Sequence, residues 1–167
     1  MPNEYDREIL EWTKWIKSHP GDINFPAYSL RGLAYNNKGE YDKAIADYNT
    51  IITMLIPELA EAYINRGIAY NNKGEYDRAI ADYCQAMIID PKNSRAYKDR
   101  GLAYRNKGEY DKAIADYTMA ISFDPRDAWA YNDRGDAFKF KGENDKAEAD
   151  YRTAKELGYK NYTREVS

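Results

Sequence analysis

Few side chains in this sequence have the chemistry that catalysis or metal binding requires. There is one histidine, His19, and one cysteine, Cys84. A nucleophile needs a base beside it, and a zinc site needs several nitrogen or sulfur ligands. His19 lies directly before Pro20, past a predicted helix end, so we expect it to be exposed and without a role as a base. The sequence therefore predicts no metal ion and no cofactor.

Carboxylates are plentiful, but they recur at the same place along the chain. The most regular set is spaced by 35, 34 and 34 residues and comprises Asp47, Asp82, Asp116 and Asp150. Catalytic carboxylate pairs need unlike environments that separate their pKa values, whereas a repeat gives every copy the same environment. We therefore expect no enzyme activity.

An arginine precedes each of these aspartates by 16 residues, and the four are Arg31, Arg66, Arg100 and Arg134. A charge at a helix-packing position is costly unless an opposite charge pairs with it. The constant spacing therefore predicts Arg–Asp pairs between neighbouring helices. The alternative is a stripe of arginines that binds an acidic ligand.

The overall composition argues against nucleic acid and membrane as partners. The 25 lysines and arginines are balanced by 28 acidic residues, and no basic run is present to neutralise phosphates. The most apolar segment, residues 51–56, is far shorter than the roughly 20 residues that a membrane span needs. Glu4 and Asp6 stand where a signal peptide would be basic. We expect a cytoplasmic location.

The recurring residues belong to an internal repeat. A glycine marks the same position in each copy, at Gly32, Gly67, Gly101 and Gly135. Tyrosines and small residues around it are three and four residues apart, which is typical of helices. A Lys-Gly pair in mid-repeat predicts the end of a first helix, and Asp42 and its counterparts lie where the second helix begins and could cap it. Pro57, Pro91 and Pro125 predict where second helices end.

The predicted organisation is four repeats after an N-terminal helix. Residues 4–12 align with the second helix of the first repeat, so the chain begins with an orphan second helix whose Trp12 and Trp15 pack on the next helix. The first repeat has one extra residue between Tyr48 and Pro57. The predicted segments are 1–24 for the orphan helix and linker, 25–59, 60–93, 94–127 and 128–161 for the repeats, and 162–167 for a short tail.

The repeat resembles the tetratricopeptide-repeat family through residues such as Tyr63, Gly67, Tyr70, Ala79, Tyr83 and Pro91. The resemblance implies an all-α fold, an α-solenoid in which antiparallel helix pairs form a right-handed superhelix. It also implies a concave groove lined by the first helix of each pair. Fixed positions around each repeat glycine then give the expected groove residues: Leu33, Asn36, Asn37, Ile64, Ile68, Asn71, Asn72, Arg95, Lys98, Leu102, Arg105, Asn106, Trp129 and Phe140.

The chemistry of these groove residues predicts the kind of ligand. An apolar stripe is expected from Leu33, Ile64, Ile68 and Leu102, with asparagine amides at its rim and basic side chains beside it. Such a stripe suits a peptide with apolar anchors and some acidic character. Family members that hold chaperone C-terminal tails use a carboxylate clamp. Of its five positions only Asn65 and Arg95 match here, and Asp99 would repel a carboxylate, so we expect no docking of that type.

Function follows from the resemblance and the groove. We expect a non-enzymatic protein-protein interaction module that binds a peptide or partner segment, and a monomer with weak self-association. The alternative is a self-assembling scaffold that associates through exposed helix faces or array ends. In the last repeat, Trp129 and Phe140 are expected on the groove side, and Tyr159 or Tyr162 could fold back to cover them.

Overall fold

The structure is a computed structural model that describes residues 3–20, 24–55 and 59–160, and all regular elements in these ranges are helices. They are α1 (Glu4–Ser18), α2 (Phe25–Lys38), α3 (Tyr41–Thr50), α4 (Ala60–Lys73), α5 (Tyr76–Ile89), α6 (Ser94–Asn106), α7 (Tyr110–Phe123), α8 (Ala128–Phe140) and α9 (Asn144–Glu156). A π-helical turn, Ile51–Leu55, follows α3 directly.

The chain divides into two compact units, Met1–Pro91 and Lys92–Ser167. In the first unit α1 packs on α2, α2 on α3, α3 on α4 and α4 on α5. In the second unit α6, α7, α8 and α9 pack in the same sequential way. The turn inside each repeat is two or three residues long, so the two helices of a repeat run antiparallel. The predicted all-α fold of antiparallel helix pairs is confirmed.

The ends of the helices follow the predicted signals. Gly39 and Gly74 have φ of +83° and +86°, the left-handed conformation that stops a helix and that glycine adopts without strain. Helices α5 and α7 end two residues before Pro91 and Pro125. Pro57, the third predicted stop, lies outside the described residues.

The predicted role of Asp42 as a helix cap is wrong. The N-cap of α3 is Glu40, which makes no side-chain cap hydrogen bond, and Asp42 lies within the first turn. Its carboxylate instead accepts a hydrogen bond from Lys73 Nζ at 2.7 Å, at the end of the first helix of the next repeat. Asp42 therefore links two repeats, besides interacting favourably with the positive end of α3.

The extra residue of the first repeat is accommodated inside a helix. The π-helical turn Ile51–Leu55 contains one residue more per turn than the α-helix it continues. Ile51 and Ile52 are both buried there, in the cluster that also contains Ala44 and Tyr48. The insertion thus leaves the core of the first repeat intact.

Tyrosine rings packed against glycines form the centre of each repeat. Tyr48 and Tyr117 are fully buried. A Cβ added to Gly101 would lie 2.9 Å from Tyr117 Cε1, and one added to Gly32 would lie 3.0 Å from Tyr48 Cζ. The repeat glycine is therefore required by close helix packing, because any side chain would collide with the ring.

Candidate functional site

The Arg–Asp pairs predicted from the 16-residue spacing are confirmed. Arg31 donates from Nε to Asp47 Oδ2 at 2.9 Å and from Nη2 to Asp47 Oδ1 at 2.6 Å. The same two-bond geometry recurs in Arg66–Asp82, Arg100–Asp116 and Arg134–Asp150. The alternative, an arginine stripe that binds an acidic ligand, is wrong, because each guanidinium is already engaged within its own repeat.

Arg31, Arg66 and Arg134 also contact a polar side chain of the preceding helix. Arg66 donates from Nη1 to Asn49 Oδ1 of the preceding helix at 2.6 Å, and its guanidinium lies over the rings of Tyr63 and Tyr70. Arg134 reaches Thr118 in the same way at 3.1 Å. The sequence analysis missed this third contact, although polar side chains at the matching positions of successive repeats signal it. These arginines are structural.

In the first unit, α2 presents two exposed leucines on neighbouring turns. Leu33 is 47% exposed, and Leu30, three residues earlier and therefore on the same helix face, is 42% exposed. Leu30 is absent from the expected groove residues, and its spacing from Leu33 was the signal for it. On α4, Ile68 is half-buried.

Asparagines accompany this apolar surface. Asn72 Nδ2 donates to Asn36 Oδ1 at 3.1 Å, which joins α4 to α2, and Asn37 is exposed. Asn71 is buried and has polar contacts of its own. The expectation that Ile64 lines the groove is wrong. Its side chain is fully buried in the core and cannot contact a ligand.

In the second unit the expected basic rim is already neutralised. Lys98 Nζ lies 2.7 Å from Asp127, and Arg105 Nη1 lies 3.2 Å from Asp133 and 2.9 Å from Asp136. The exposed Arg95 lies 3.6 Å from Asp99, one turn along α6. Leu102 is half-buried and Asn106 is exposed. Acidic side chains of the protein itself therefore pair with these basic ones, and the reason to expect an acidic ligand is removed.

Aromatic side chains lie at the two ends of α8. Trp129 is 57% exposed and meets the edge of Tyr159 at a centroid distance of 4.8 Å, so the expected covering by Tyr159 is only partial. Phe140 stacks on Tyr110 at 5.2 Å, not on Tyr159, and remains 65% exposed. Tyr162 lies outside the described residues.

A pocket of about 660 Å³ opens beside α8 and α9, lined by Asn132, Asp136, Lys139, Tyr151, Lys155 and Tyr159. Tyr151 donates its hydroxyl to Asp136 Oδ1 at 2.9 Å. Burial, together with this bond, raises the pKa of Tyr151 to about 12. Burial likewise raises the pKa of Asp133, which lies beside Asp136 and Arg105. The pocket therefore combines aromatic and charged side chains.

In the described ranges no three His, Cys, Asp or Glu side chains are grouped so as to bind a metal ion. Among the helices of those ranges, none has the length and apolar character needed to span a bilayer.

Family comparisons cover most of the repeats. Models described as tetratricopeptide repeat match residues 25–54, 60–93, 83–115 and 130–157, and one described as TPR repeat matches residues 101–142. No curated protein matches the sequence significantly.

Solved structures share the fold, two of them over nearly the whole chain and one over part of it. A crystal structure of MamA protein is 30% identical, with a TM-score of 0.75 over 98% of this chain and 88% of that chain. TTC0263, a thermophilic TPR protein in Thermus thermophilus, is 21% identical, with a TM-score of 0.79 over 94% and 84%. The second TPR of Spaghetti (RPAP3), solved bound to an HSP90 peptide, is 32% identical, with a TM-score of 0.57 over 59% and 91%.

Proposed function

The chain belongs to the tetratricopeptide-repeat family, and we propose that it is a non-enzymatic interaction module that binds a peptide or partner segment along the first helices of its repeats. The fold and its relatives support a role in protein interaction. The binding surface and the chemistry of the ligand are the proposal.

The observation that carries the proposal is the exposed apolar surface of the first unit. Leu30 and Leu33 expose large aliphatic side chains on one face of α2, while the opposite face already packs on α3. Asn36 and Asn37 lie on α2 and Asn72 lies on α4, the first helix of the next repeat. Their side-chain amides can donate hydrogen bonds to a peptide backbone and accept hydrogen bonds from it. Apolar anchors combined with adaptable amides are typical of peptide recognition.

The relative solved with an HSP90 peptide supports a peptide as ligand. The mode of binding should differ, however, because Ser29, Leu33 and Asp99 stand here at positions where a carboxylate clamp needs basic or amide side chains. We therefore propose recognition of an internal segment through its side chains, and not of a terminal carboxylate.

A displayed peptide library tests this function. Immobilised protein should select a shared peptide motif, and Leu33→Asp should abolish capture of the selected peptides with little change in thermal stability, because the side chain is exposed. Leu10→Asp is the matched control, since Leu10 is a leucine of similar exposure on α1, at 54% against 47% for Leu33. Selection of no motif, or equal capture by the Leu33→Asp variant, would contradict the proposed groove.

Self-assembly is the second candidate, favoured by the surface of α1. Leu10 is 54% exposed and lines a shallow pocket of about 500 Å³ with Arg7 and Trp15. An apolar patch of this kind can join copies of the chain. Sedimentation over about a hundredfold range of concentration measures such association, which Leu10→Asp should remove and Leu33→Asp should not. A single mass over the whole range would exclude this candidate.

A further inference from the structure

Two first helices pack on the preceding repeat in the same way, and we call them the covering helices: α4 in the first unit and α8 in the second. Helix α4 belongs to the core cluster of Tyr48, and α8 belongs to that of Tyr117. Each covering helix contributes two alanines that are seven residues apart and therefore lie on one face. They are Ala62 and Ala69 in α4 and Ala130 and Ala137 in α8, and all four are buried. Small side chains here let the helix approach the buried tyrosine closely.

The C-terminal end of each covering helix forms an ion pair with the preceding repeat. Lys73 Nζ lies 2.7 Å from Asp42 Oδ1, and Lys141 pairs with Asp111 in the same way. Both lysines stand four residues after the second alanine, and both aspartates are the second residue of a second helix. A covering helix is therefore recognised by two alanines and by the lysine that follows them.

The last repeat has a matching surface, and no covering helix lies on it among the described residues. Five residues that line the pocket of about 660 Å³ stand 34 positions after residues of the preceding repeat. Asn132, Asp136, Lys139, Tyr151 and Lys155 correspond in this way to Lys98, Leu102, Arg105, Tyr117 and Ile121.

Four of those counterparts in the preceding repeat contact α8 or its N-cap. Their contacts are the ion pairs Lys98–Asp127, Arg105–Asp133 and Arg105–Asp136 and the packing of Tyr117 on Ala137 and of Ile121 on Ala130. Tyr117 is fully buried under the covering helix, whereas Tyr151 is only half-buried. The pocket therefore lies where a further covering helix would pack on α8 and α9.

The ion pair of a covering helix is also missing at this surface. Asp145 is the second residue of α9 and corresponds to Asp42 and Asp111. It is exposed and forms no ion pair with any described residue. Asp145 therefore lacks the lysine that a covering helix supplies to the other two aspartates.

The unpaired charge inside the pocket is basic. Lys139 and Lys155 line it, are exposed, and form no ion pair within the described ranges. Asp136, the acidic residue of the described lining, already accepts hydrogen bonds from Arg105 and Tyr151. Neither lysine was among the expected groove residues. An occupant with acidic side chains therefore fits this pocket better than a basic one.

We propose that this surface of α8 and α9 is the docking site for an acidic amphipathic helix of a partner protein. The helix takes the place of a covering helix, so the site continues the interface that α8 makes with α6 and α7. Its two small residues, seven apart, pack on Tyr151, and a basic residue four positions after the second one pairs with Asp145. The inference stands independently of Leu30 and Leu33, which carry the proposed groove.

The acidic positions of the partner helix follow from the contacts of α8. Asp133 and Asp136 pair with Arg105, and they stand three and six residues after the first alanine of α8. The counterpart of Arg105 in the last repeat is Lys139. Acidic residues three and six positions after the first small residue therefore face Lys139.

A peptide with the sequence of residues 127–141 and the change Tyr131→Glu is the probe. It contains the two alanines, both aspartates and the C-terminal lysine of the covering helix. Tyr131 packs in the cluster of Ile121, whose counterpart is Lys155, so a glutamate at this position faces that lysine. The fluorescein-labelled peptide should bind the full chain saturably in fluorescence anisotropy.

Charge reversal tests the predicted pairing. Lys139→Glu should weaken binding of the probe by roughly tenfold or more, because it places like charges opposite the two aspartates. A second peptide, in which both aspartates are replaced by lysine, should bind the Lys139→Glu variant better than wild type, which a damaged fold cannot produce. Lys17→Glu, which reverses an exposed lysine on α1, is the matched control and should leave both affinities unchanged.

The outcomes also separate this inference from the groove function. Leu33→Asp should bind the helical probe as wild type does, although it loses the library peptides. A stapled version of the probe, with its helix fixed on the face opposite the alanines, decides if the linear peptide is unfolded. No binding of the stapled peptide, or equal binding to Lys139→Glu, would overturn the docking site and leave the groove intact. Self-association that Lys139→Glu abolishes would make a second copy the occupant and overturn the partner helix.

Discussion

Arg31 and Asp47 face each other across the first repeat through two parallel hydrogen bonds of 2.9 and 2.6 Å. Burial raises the pKa of Asp47, and the opposing effect of Arg31 does not fully compensate for it. The buried carboxylate therefore depends on the guanidinium beside it to offset the loss of water. Such a pair is expected to specify how the helices pack more than to add net stability.

Arg31→Leu should lower the free energy of unfolding by about 3 kcal/mol, because it leaves Asp47 buried without its partner. The double variant Arg31→Leu/Asp47→Leu should recover most of this loss, which urea denaturation at neutral pH measures. The loss in the single variant should shrink as pH falls. The folded-state pKa of Asp47 lies above its unfolded value, so protonation stabilises the folded state at acidic pH.

Lys43→Leu provides the control for this cycle. Lys43 pairs with Glu40 at the surface of the same repeat, where water and salt screen the charges and an ion pair adds little stability. Simple additivity of Arg31→Leu and Asp47→Leu would show that the two side chains do not act as a pair.

Truncation of Ile64 and of Leu33 to alanine should distinguish a core side chain from an exposed one by the loss of stability. Ile64→Ala should cost about 2–5 kcal/mol, because the side chain is fully buried and leaves a cavity. Leu33→Ala should change stability by about 0.5 kcal/mol or less, because the leucine is half exposed. Thermal unfolding compares the two variants, and equal costs would mean that the assignment of Leu33 to the surface is wrong.

Gly101→Ala should destabilise the second unit by about 1–3 kcal/mol through overpacking, since the new methyl group collides with the buried Tyr117 ring. In a Tyr117→Leu background this cost should become smaller. Gly142→Ala is the contrast: a Cβ there has no described atom within 4 Å, but φ is +79°, so its cost of about 1 kcal/mol comes from the backbone alone. That cost should be the same in both backgrounds.

The Glu143 carboxyl should titrate far below ordinary glutamates. Hydrogen bonds from Lys141 and Lys146 lower its pKa to about 2. Ionised Glu143 therefore favours the folded state above its unfolded pKa, and this contribution is lost as pH falls toward 2. Carbon-detected NMR titration reads the value directly, and Lys146→Ala should raise it. A midpoint near the ordinary value of 4.5 would contradict the two-lysine arrangement.

The sequence was sufficient for features that each repeat determines locally. Glycine after lysine marks the end of a helix because only glycine is unstrained there, and the 16-residue spacing of Arg31 and Asp47 places both on facing helices. Ile64 was placed wrongly because its exposure is not determined locally. The exposure of this side chain depends on how closely the next helix approaches, and the sequence of one repeat does not encode that distance. The family position alone placed it in the groove.

Long side chains were the second source of error. Lys98 and Arg105 are basic and lie on the expected face, so the sequence predicted an acidic ligand. Their partners, Asp127, Asp133 and Asp136, stand 28 to 31 residues later. The sequence of α6 does not show that its flexible side chains reach carboxylates at the start of α8 and along it, because rotamer choice is settled only when both helices are in place.

The π-helical turn Ile51–Leu55 bears on how related sequences should be aligned. A gap is ordinarily placed in a loop, and here that would be the segment around Pro57. The structure places the insertion within the helix, after Tyr48, and keeps Ile51 and Ile52 buried. An alignment gapped in the loop would therefore match these isoleucines to residues of other repeats that occupy different places in the core. Length variants of this repeat should be compared with the gap inside the second helix.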